Sequence, residues 1–215
     1  MERSGYQGQA PEREGMIEIK ISGRGGQGLV LASQILASAF FKNGMWVQAF
    51  PSFGAERRGA PVSAFVRVDQ EEMTLRCGVY HPDWIIVLDA QLLGNPVILS
   101  GIKEGGSILV NGKEIPEGFQ RPMESPVFVV DAVAIAHSFR LGSTSFPIVN
   151  TAMAGAFARA SGLISLGSVL EAVREAVPVE QERNEAAARE AYERVHLLPR
   201  SQSPTWERRE RVNDA

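Results

Sequence analysis

The stretch ISGRGGQGLVLAS, residues 21–33, decides the fold because it joins two different periodicities through a run of glycines. Before and into it, MIEIKIS (16–22) alternates apolar and polar residues, the period of two of a strand. From its last glycine onward, GLVLASQILASAFFKNG (28–44) is rich in Ala and Leu and breaks at Asn43-Gly44. That predicts a helix of about four turns, apolar on most sides and therefore well covered. Strand, glycine turn and helix in this order are the first unit of an α/β sheet.

The same alternation continues outward. MWVQAF (45–50) predicts a second strand, stopped by Pro51, and PVSAFVRV (61–68) a third. The third is expected to pair with EEMTLRCG (71–78) through a turn at Asp69-Gln70, since both show the period of two. DWIIVLDA (83–90) is a compact apolar run, as in a strand buried on both faces. QLLGNPVILSG (91–101) predicts a weak helix interrupted at Asn95-Pro96, and GSILVNG (106–112) and VFVVDA (127–132) two more strands. DAVAIAHSFRLGS (131–143) turns helical, and a further helix is expected to start near Asn150 as its cap. SVLEAVREAVP (168–178) and VEQERNEAAAREAYERVHLL (179–198) predict two final helices.

The expected fold is a single open, mostly parallel Rossmann-like sheet flanked by helices, with polar terminal extensions. Residues 1–15 read as a flexible lead-in, 16–197 as the α/β domain, and 198–215 as a polar tail with a lone Trp206, a candidate docking arm.

Across 215 residues, 22 basic side chains against 25 acidic ones give a net charge of −3, which argues against nucleic acid as a partner. Cys77 is the single cysteine, so neither an internal disulfide nor a four-thiolate cluster can form within the chain. No apolar run reaches membrane-spanning length, and MERSGYQGQAPEREG (1–15) lacks the apolar segment of a secretory signal, so a cytoplasmic location without membrane insertion is expected.

Gly23, Gly25 and Gly28 satisfy G-x-G-x-x-G between the first strand and helix. Such glycines permit a tight turn and close backbone approach to a pyrophosphate at the helix N-terminus. The full dinucleotide pattern also wants an acid roughly 20 residues on, to hold the ribose. Here the second strand ends in Ala49-Phe50-Pro51-Ser52, with no acid before Glu56. Three readings therefore stay open: a turn needed only for packing, a phosphate or carboxylate site, and a self-contained nucleotide- or flavin-binding reductase. Arg24 and Gln27 could each reach a ligand from this turn.

The second polar cluster is Ser52-Phe53-Gly54-Ala55-Glu56-Arg57-Arg58-Gly59, expected at the same sheet edge. One arginine can fork onto a carboxylate or phosphate while Glu56 orients the other. A solvated turn or a contact with a partner chain are the competing readings.

Elsewhere the residues read as structural. His81 sits in a His-Pro-Asp strand entry, His137 and Cys77 are expected to be packed, and Asp89 to cap the segment after its strand. His196 is expected near the end of the last helix, where a cation meets exposed carbonyls. Gly155, among the small residues of AMAGAFARA (152–160), marks a packing seam. The three histidines and Cys77 share no metal-ligand spacing, and no catalytic or metal residue is assigned.

GRGGQGLVLASQILA and PSFGAERRGAPVSAFVR, with HPDWIIVLDAQLL and NTAMAGAFARASGL, resemble the gamma-chain family of 2-oxoacid:acceptor oxidoreductases, whose best-known member acts on pyruvate with ferredoxin. The resemblance implies a subunit that holds no cofactor alone, in a complex with alpha, beta and delta-type partners. Those chains would carry thiamine diphosphate, Mg2+ and iron–sulfur clusters, with coenzyme A as substrate and ferredoxin or another electron-acceptor chain beyond. It implies oxidative decarboxylation of a 2-oxoacid to an acyl-CoA: pyruvate-type, branched-chain, or aromatic such as phenylglyoxylate. It places Gly25, Gly26, Gln27, Gly28, Ser52, Glu56, Arg57 and Arg58 on the coenzyme A side or at a subunit interface. A purely structural scaffold is the remaining alternative.

Overall fold

The computed structural model describes residues 15–52, 61–75 and 77–199. A seven-stranded sheet runs through them in the order β2-β3-β1-β4-β5-β6-β7. Its strands are β1 (Ile17–Arg24), β2 (Trp46–Ser52), β3 (Pro61–Asp69), β4 (Trp84–Val87), β5 (Ser107–Asn111), β6 (Val127–Val130) and β7 (His196–Leu197). β1, β4, β5 and β6 are mutually parallel, while β3 lies antiparallel between β1 and β2. Two antiparallel pairings in succession turn β2 back to the direction of β1. Five of the seven strands therefore point one way, and the mostly parallel sheet expected from the sequence is present.

Helix α1 (Leu29–Lys42) follows β1, and α3 (Ala132–Ser138), α4 (Asn150–Ser161), α5 (Leu166–Ala176) and α6 (Gln181–Arg194) join it on one face. The alternate residues Ile17, Ile19 and Ile21 of β1, Ala64, Val66 and Val68 of β3, and Trp84 and Ile86 of β4 point into this layer. On α1 the buried set Leu29, Ala32, Ser33, Ile35, Leu36, Ala39 and Phe40 keeps helical spacing; Val30 and Phe41 stay exposed, so the helix is less completely covered than its composition predicts. Trp84 ties the layer together, with ring centroids 5.8 Å from Phe128 on β6 and 5.3 Å from Phe157 on α4.

The opposite face is covered in two ways. Over β4 to β6 lie a 3-10 turn at Ala90–Gly94 and the short helix α2 (Pro96–Leu99), burying Leu92, Leu93, Ile98 and Leu99 against Ile85, Val87, Ile108 and Val110. The sequence places the break at Asn95-Pro96 correctly: the Asn95 side chain accepts from the Val97 amide and starts α2. Over β1 to β3 the face is mixed, with the Phe50 and Phe65 rings beside charged and polar groups. Arg67, 1% exposed, donates from Nε and Nη2 to Glu18 Oε1 at 3.0 and 2.9 Å, and from Nη2 to the carbonyls of Cys77 and Gly78 at 3.2 and 3.4 Å.

These contacts explain the main departure from expectation. Residues 71–75, 77 and 78 of EEMTLRCG form no strand, because both edges of β3 are taken, by β1 and β2. The segment instead runs across the sheet face, with Gln48 Nε2 donating to the Met73 carbonyl at 3.0 Å. Cys77 consequently ends up exposed, not packed. Pro51 does not stop β2; it pairs with Ala64 inside it, which an edge strand tolerates. His137 is exposed in the last turn of α3. α6 ends at Arg194, so His196 belongs to β7, although its ring Nδ1 still lies 3.3 Å from the Arg194 carbonyl. Gly155 is the packing seam expected: a Cβ there would lie 2.0 Å from the Ala188 carbonyl of α6. No described helix is long and apolar enough to cross a membrane.

Candidate functional site

Parallel strands deliver their following loops to one sheet edge, and the sheet changes winding direction between β1 and β4, where crevices form. The chain from β1 returns through α1 toward β2, while the chain from β4 proceeds to β5 on the other side. A cleft of about 710 Å³ lies at this edge, a size that suits a nucleotide-scale ligand. Arg24, Gly25, Gly26 and Gln27 form one wall, with Asp89, Asn111 and Asp131 among the facing groups.

The turn is closed by its own residues. Gln27 donates its amide to the Arg24 carbonyl at 3.1 Å, and its side-chain oxygen accepts from the Arg24 amide at 2.7 Å. Gly23 sits in a crowded place: a Cβ there would meet Leu29 Cδ1 at 2.6 Å and Gln27 Oε1 at 2.8 Å, and both side-chain ends would have to shift. Gly28 has φ 76° and presses on Asn150 Nδ2, and Gly26 has φ 93°. Gly25 is different: its φ lies outside the left-handed range and nothing stands within 4 Å of a Cβ there. Fold and packing account for the other three glycines; Gly25 presents bare backbone to open space. α1 starts at this turn with no side-chain cap and no acidic residue in its first turn, leaving the positive end of its dipole unneutralised.

Among the charged groups facing the cleft, Arg24 and Asp89 engage one another. Asp89 caps the 3-10 turn through Oδ1, accepting from the Gln91 amide at 3.0 Å, as the sequence predicts. Its Oδ2 accepts from Arg24 Nε at 2.5 Å. Asp131 caps α3, accepting from the Ala134 amide at 2.8 Å. Asn111, buried at the end of β5, donates to the Leu88 carbonyl at 2.8 Å and accepts from the Ala132 amide at 3.0 Å, tying three loops of the edge together. Lys113 and Glu114 are exposed at the mouth.

Of the residues singled out from sequence, Gly25, Gly26 and Gln27 line the cleft, and Gly28 starts the helix beside it. Ser52, exposed at the end of β2, pairs across β3 with Ser63, which in turn pairs with Ser22. That puts Ser52 two strands from β1, on the order of 10 Å. Glu56, Arg57 and Arg58 lie outside the described residues; the strand ends flanking them, Ser52 and Pro61, stand at the glycine-turn edge, with Pro61 opposite Arg24. Asn150 does not cap α4: Val149 takes that position and Asn150 is the first helical residue, packed on Gly28. Sequence reasoning passed over Asn111, although a polar residue ending the apolar run SILVN is the same signal that marked Asp89. It also passed over Phe146, an aromatic in the polar loop LGSTSFP.

These donors do not fit thiamine diphosphate with Mg2+. Asp89 is engaged through both oxygens and Asp131 caps α3 through one, and among the described residues no three His, Cys, Asp or Glu side chains gather as a metal-holding group. The site presents an uncapped helix start and the bare backbone of Gly25, while both oxygens of Asp89 and one oxygen of Asp131 hold hydrogen bonds.

Comparison with known proteins identifies the family. Residues 18–194 match the family described as pyruvate ferredoxin/flavodoxin oxidoreductase. The chain is 46% identical over 184 residues to the pyruvate/ketoisovalerate oxidoreductases common subunit gamma of Thermococcus kodakarensis, covering 84% of this chain and 97% of that one. It is 45% identical to the pyruvate synthase subunit PorC of Methanocaldococcus jannaschii, over 82% and 96% of the two chains. The crystal structure of the pyruvate oxidoreductase subunit PORC from Thermotoga maritima superposes with a TM-score of 0.72 at 34% identity, covering 86% of this chain and 99% of that one. The chain belongs to the pyruvate ferredoxin/flavodoxin oxidoreductase family, among its gamma-type chains.

Proposed function

We propose that this chain is the gamma subunit of a thiamine diphosphate-dependent 2-oxoacid oxidoreductase and frames the coenzyme A side of an active site whose chemistry other subunits carry. The complex would convert a 2-oxoacid and coenzyme A to an acyl-CoA and CO2, passing two electrons to ferredoxin or a related acceptor. The names of the relatives, which refer to pyruvate and ketoisovalerate, favour pyruvate-type or branched-chain substrates. Thiamine diphosphate supplies the decarboxylation chemistry when bound by the partner chains, and none of that chemistry is assigned to residues described here. This chain's residues bind and orient: the uncapped start of α1 favours an anion, Gly25 admits close approach, and Asp89 holds Arg24 at the wall.

One observation carries the reading: Gly25 is bare, unstrained and uncrowded at a cleft whose Asp89 and Asp131 carboxylates are already engaged. A glycine that the fold does not require points to an occupant. The self-contained reductase reading fares worse, because β3 occupies the place beside β1 where a ribose-binding second strand would stand. Purification of the native complex with a panel of 2-oxoacids, phenylglyoxylate included, tests the proposal. Acyl-CoA formation by the complex, dependent on coenzyme A and absent from the isolated chain, is the expected result. An isolated chain that retains a flavin or nucleotide and reduces an acceptor would overturn it.

A further inference from the structure

Phe146 is 81% exposed, more than any other large apolar side chain among the described residues. It stands on the rim of the cleft, beside Ser145 and Pro147 and across from the glycine turn. The turn that carries it is rigidly built. Ser143 and Phe146 exchange both backbone hydrogen bonds at 3.1 and 3.2 Å, and the Phe146 amide also reaches Ser143 Oγ at 3.1 Å. Gly142 and Pro147 form a bridge, and the Ile148 amide donates to the Leu141 carbonyl at 3.1 Å. Gly142, at φ 78°, leaves no room for a side chain: a Cβ would lie 2.4 Å from the Phe146 carbonyl oxygen.

An aromatic held out to solvent on a preordered turn loses little freedom when it is covered, which is the profile of an interface anchor. Half-exposed Ile148, two residues on, widens the apolar area. We infer that the Phe146 turn docks this chain onto the subunit that carries the 2-oxoacid chemistry, Phe146 filling an apolar pocket there. The inference rests on the proposed role. If this cleft frames a ligand whose reacting end lies in another chain, that chain must meet the cleft at its rim, and Phe146 is the large exposed apolar side chain there.

The test uses the co-expressed complex carrying Phe146→Ala, Phe146→Leu or Phe146→Glu, with dissociation on dilution followed by native mass spectrometry. Loss of a central aromatic anchor raises the subunit dissociation constant roughly 30-fold. Leu falls between Ala and the parent, and Glu dissociates most. Unchanged dissociation in all three variants overturns the inference. So does unchanged assembly with a raised KM for coenzyme A, which would make Phe146 a stacking surface for the ligand. Self-association of the isolated chain that Phe146→Ala abolishes, with the complex unaffected, would assign the turn to a second copy instead. Because the dissociation readout needs no turnover, failure of the proposed activity would show separately, as a complex that assembles but forms no acyl-CoA.

Discussion

Replacing Arg67 by Met tests what holds the β1 to β3 half of the sheet together. The guanidinium is 1% exposed and makes two hydrogen bonds to one oxygen of Glu18, whose side chain is itself only 11% exposed. It also donates to Gln48 Oε1 at 3.3 Å, holds the carbonyls of Cys77 and Gly78, and lies 5.6 Å over the Phe50 ring. Removing one partner of a buried pair leaves the other uncompensated, at a cost of about 3–5 kcal/mol. In a chain of this size that lowers Tm by roughly 6–20 °C. The double variant Arg67→Met/Glu18→Leu removes both charges and should recover most of the loss. Guanidinium denaturation of the three variants gives the energies, and Cys77 gives an independent readout. As the single cysteine, exposed and tethered to Arg67 through its carbonyl, it should react faster with a thiol reagent in Arg67→Met. A single variant within about 1 kcal/mol of the parent, or a double variant no better than the single, would mean that the buried pair does not hold this part of the sheet.

At the α4–α6 seam, Gly155→Ala gains helix propensity of about 1 kcal/mol but drives a Cβ against the Ala188 backbone. The carbonyl cannot rotate away, so a net destabilisation of roughly 1–2 kcal/mol is expected by chemical denaturation. Asn111→Ala leaves the Leu88 carbonyl and the Ala132 amide without their partner and should cost about 1–3 kcal/mol, with faster amide exchange at Ala132. Lys20 is half-buried, its ammonium donating to the Val97 and Ile98 carbonyls, and burial pushes its pKa below the ordinary 10.5. The folded chain therefore gives up the proton before the unfolded one does. Stability of the parent relative to Lys20→Met should rise as pH climbs through the lowered value toward 10.5 and level off above it, in urea titrations across that range.

Local signals proved sufficient where each element carried its own start and stop. The glycine turn, the helix ended by Asn43-Gly44, the apolar run of β4 and the break at Asn95-Pro96 all depend on residues close in sequence. What the sequence hid was decided by distant competition. EEMTLRCG has the alternation of a strand, but β3 had no edge left to offer it. Cys77 and β7 follow from the same kind of contest, over sheet edges and faces. At the site, Gly25 and Gly26 stood out because glycine runs are rare. Asn111 ends its apolar run as Asp89 does, but the two backbone groups that give it its role come from other loops and cannot be read from its own segment. Asn150 resembled a cap and became a contact of Gly28, because α4 begins against the glycine turn.

In the proposed role, Gly25 faces an occupant supplied from outside the fold. Gly25→Val in the assembled complex tests it, with the KM for coenzyme A and the unfolding midpoint measured on the same preparation. With nothing within 4 Å of the new Cβ and no left-handed φ to strain, stability should stay within about 0.5 kcal/mol of the parent. A side chain intruding on a ligand in close contact should raise that KM roughly tenfold or more. An unchanged KM at unchanged stability would mean that no ligand approaches Gly25.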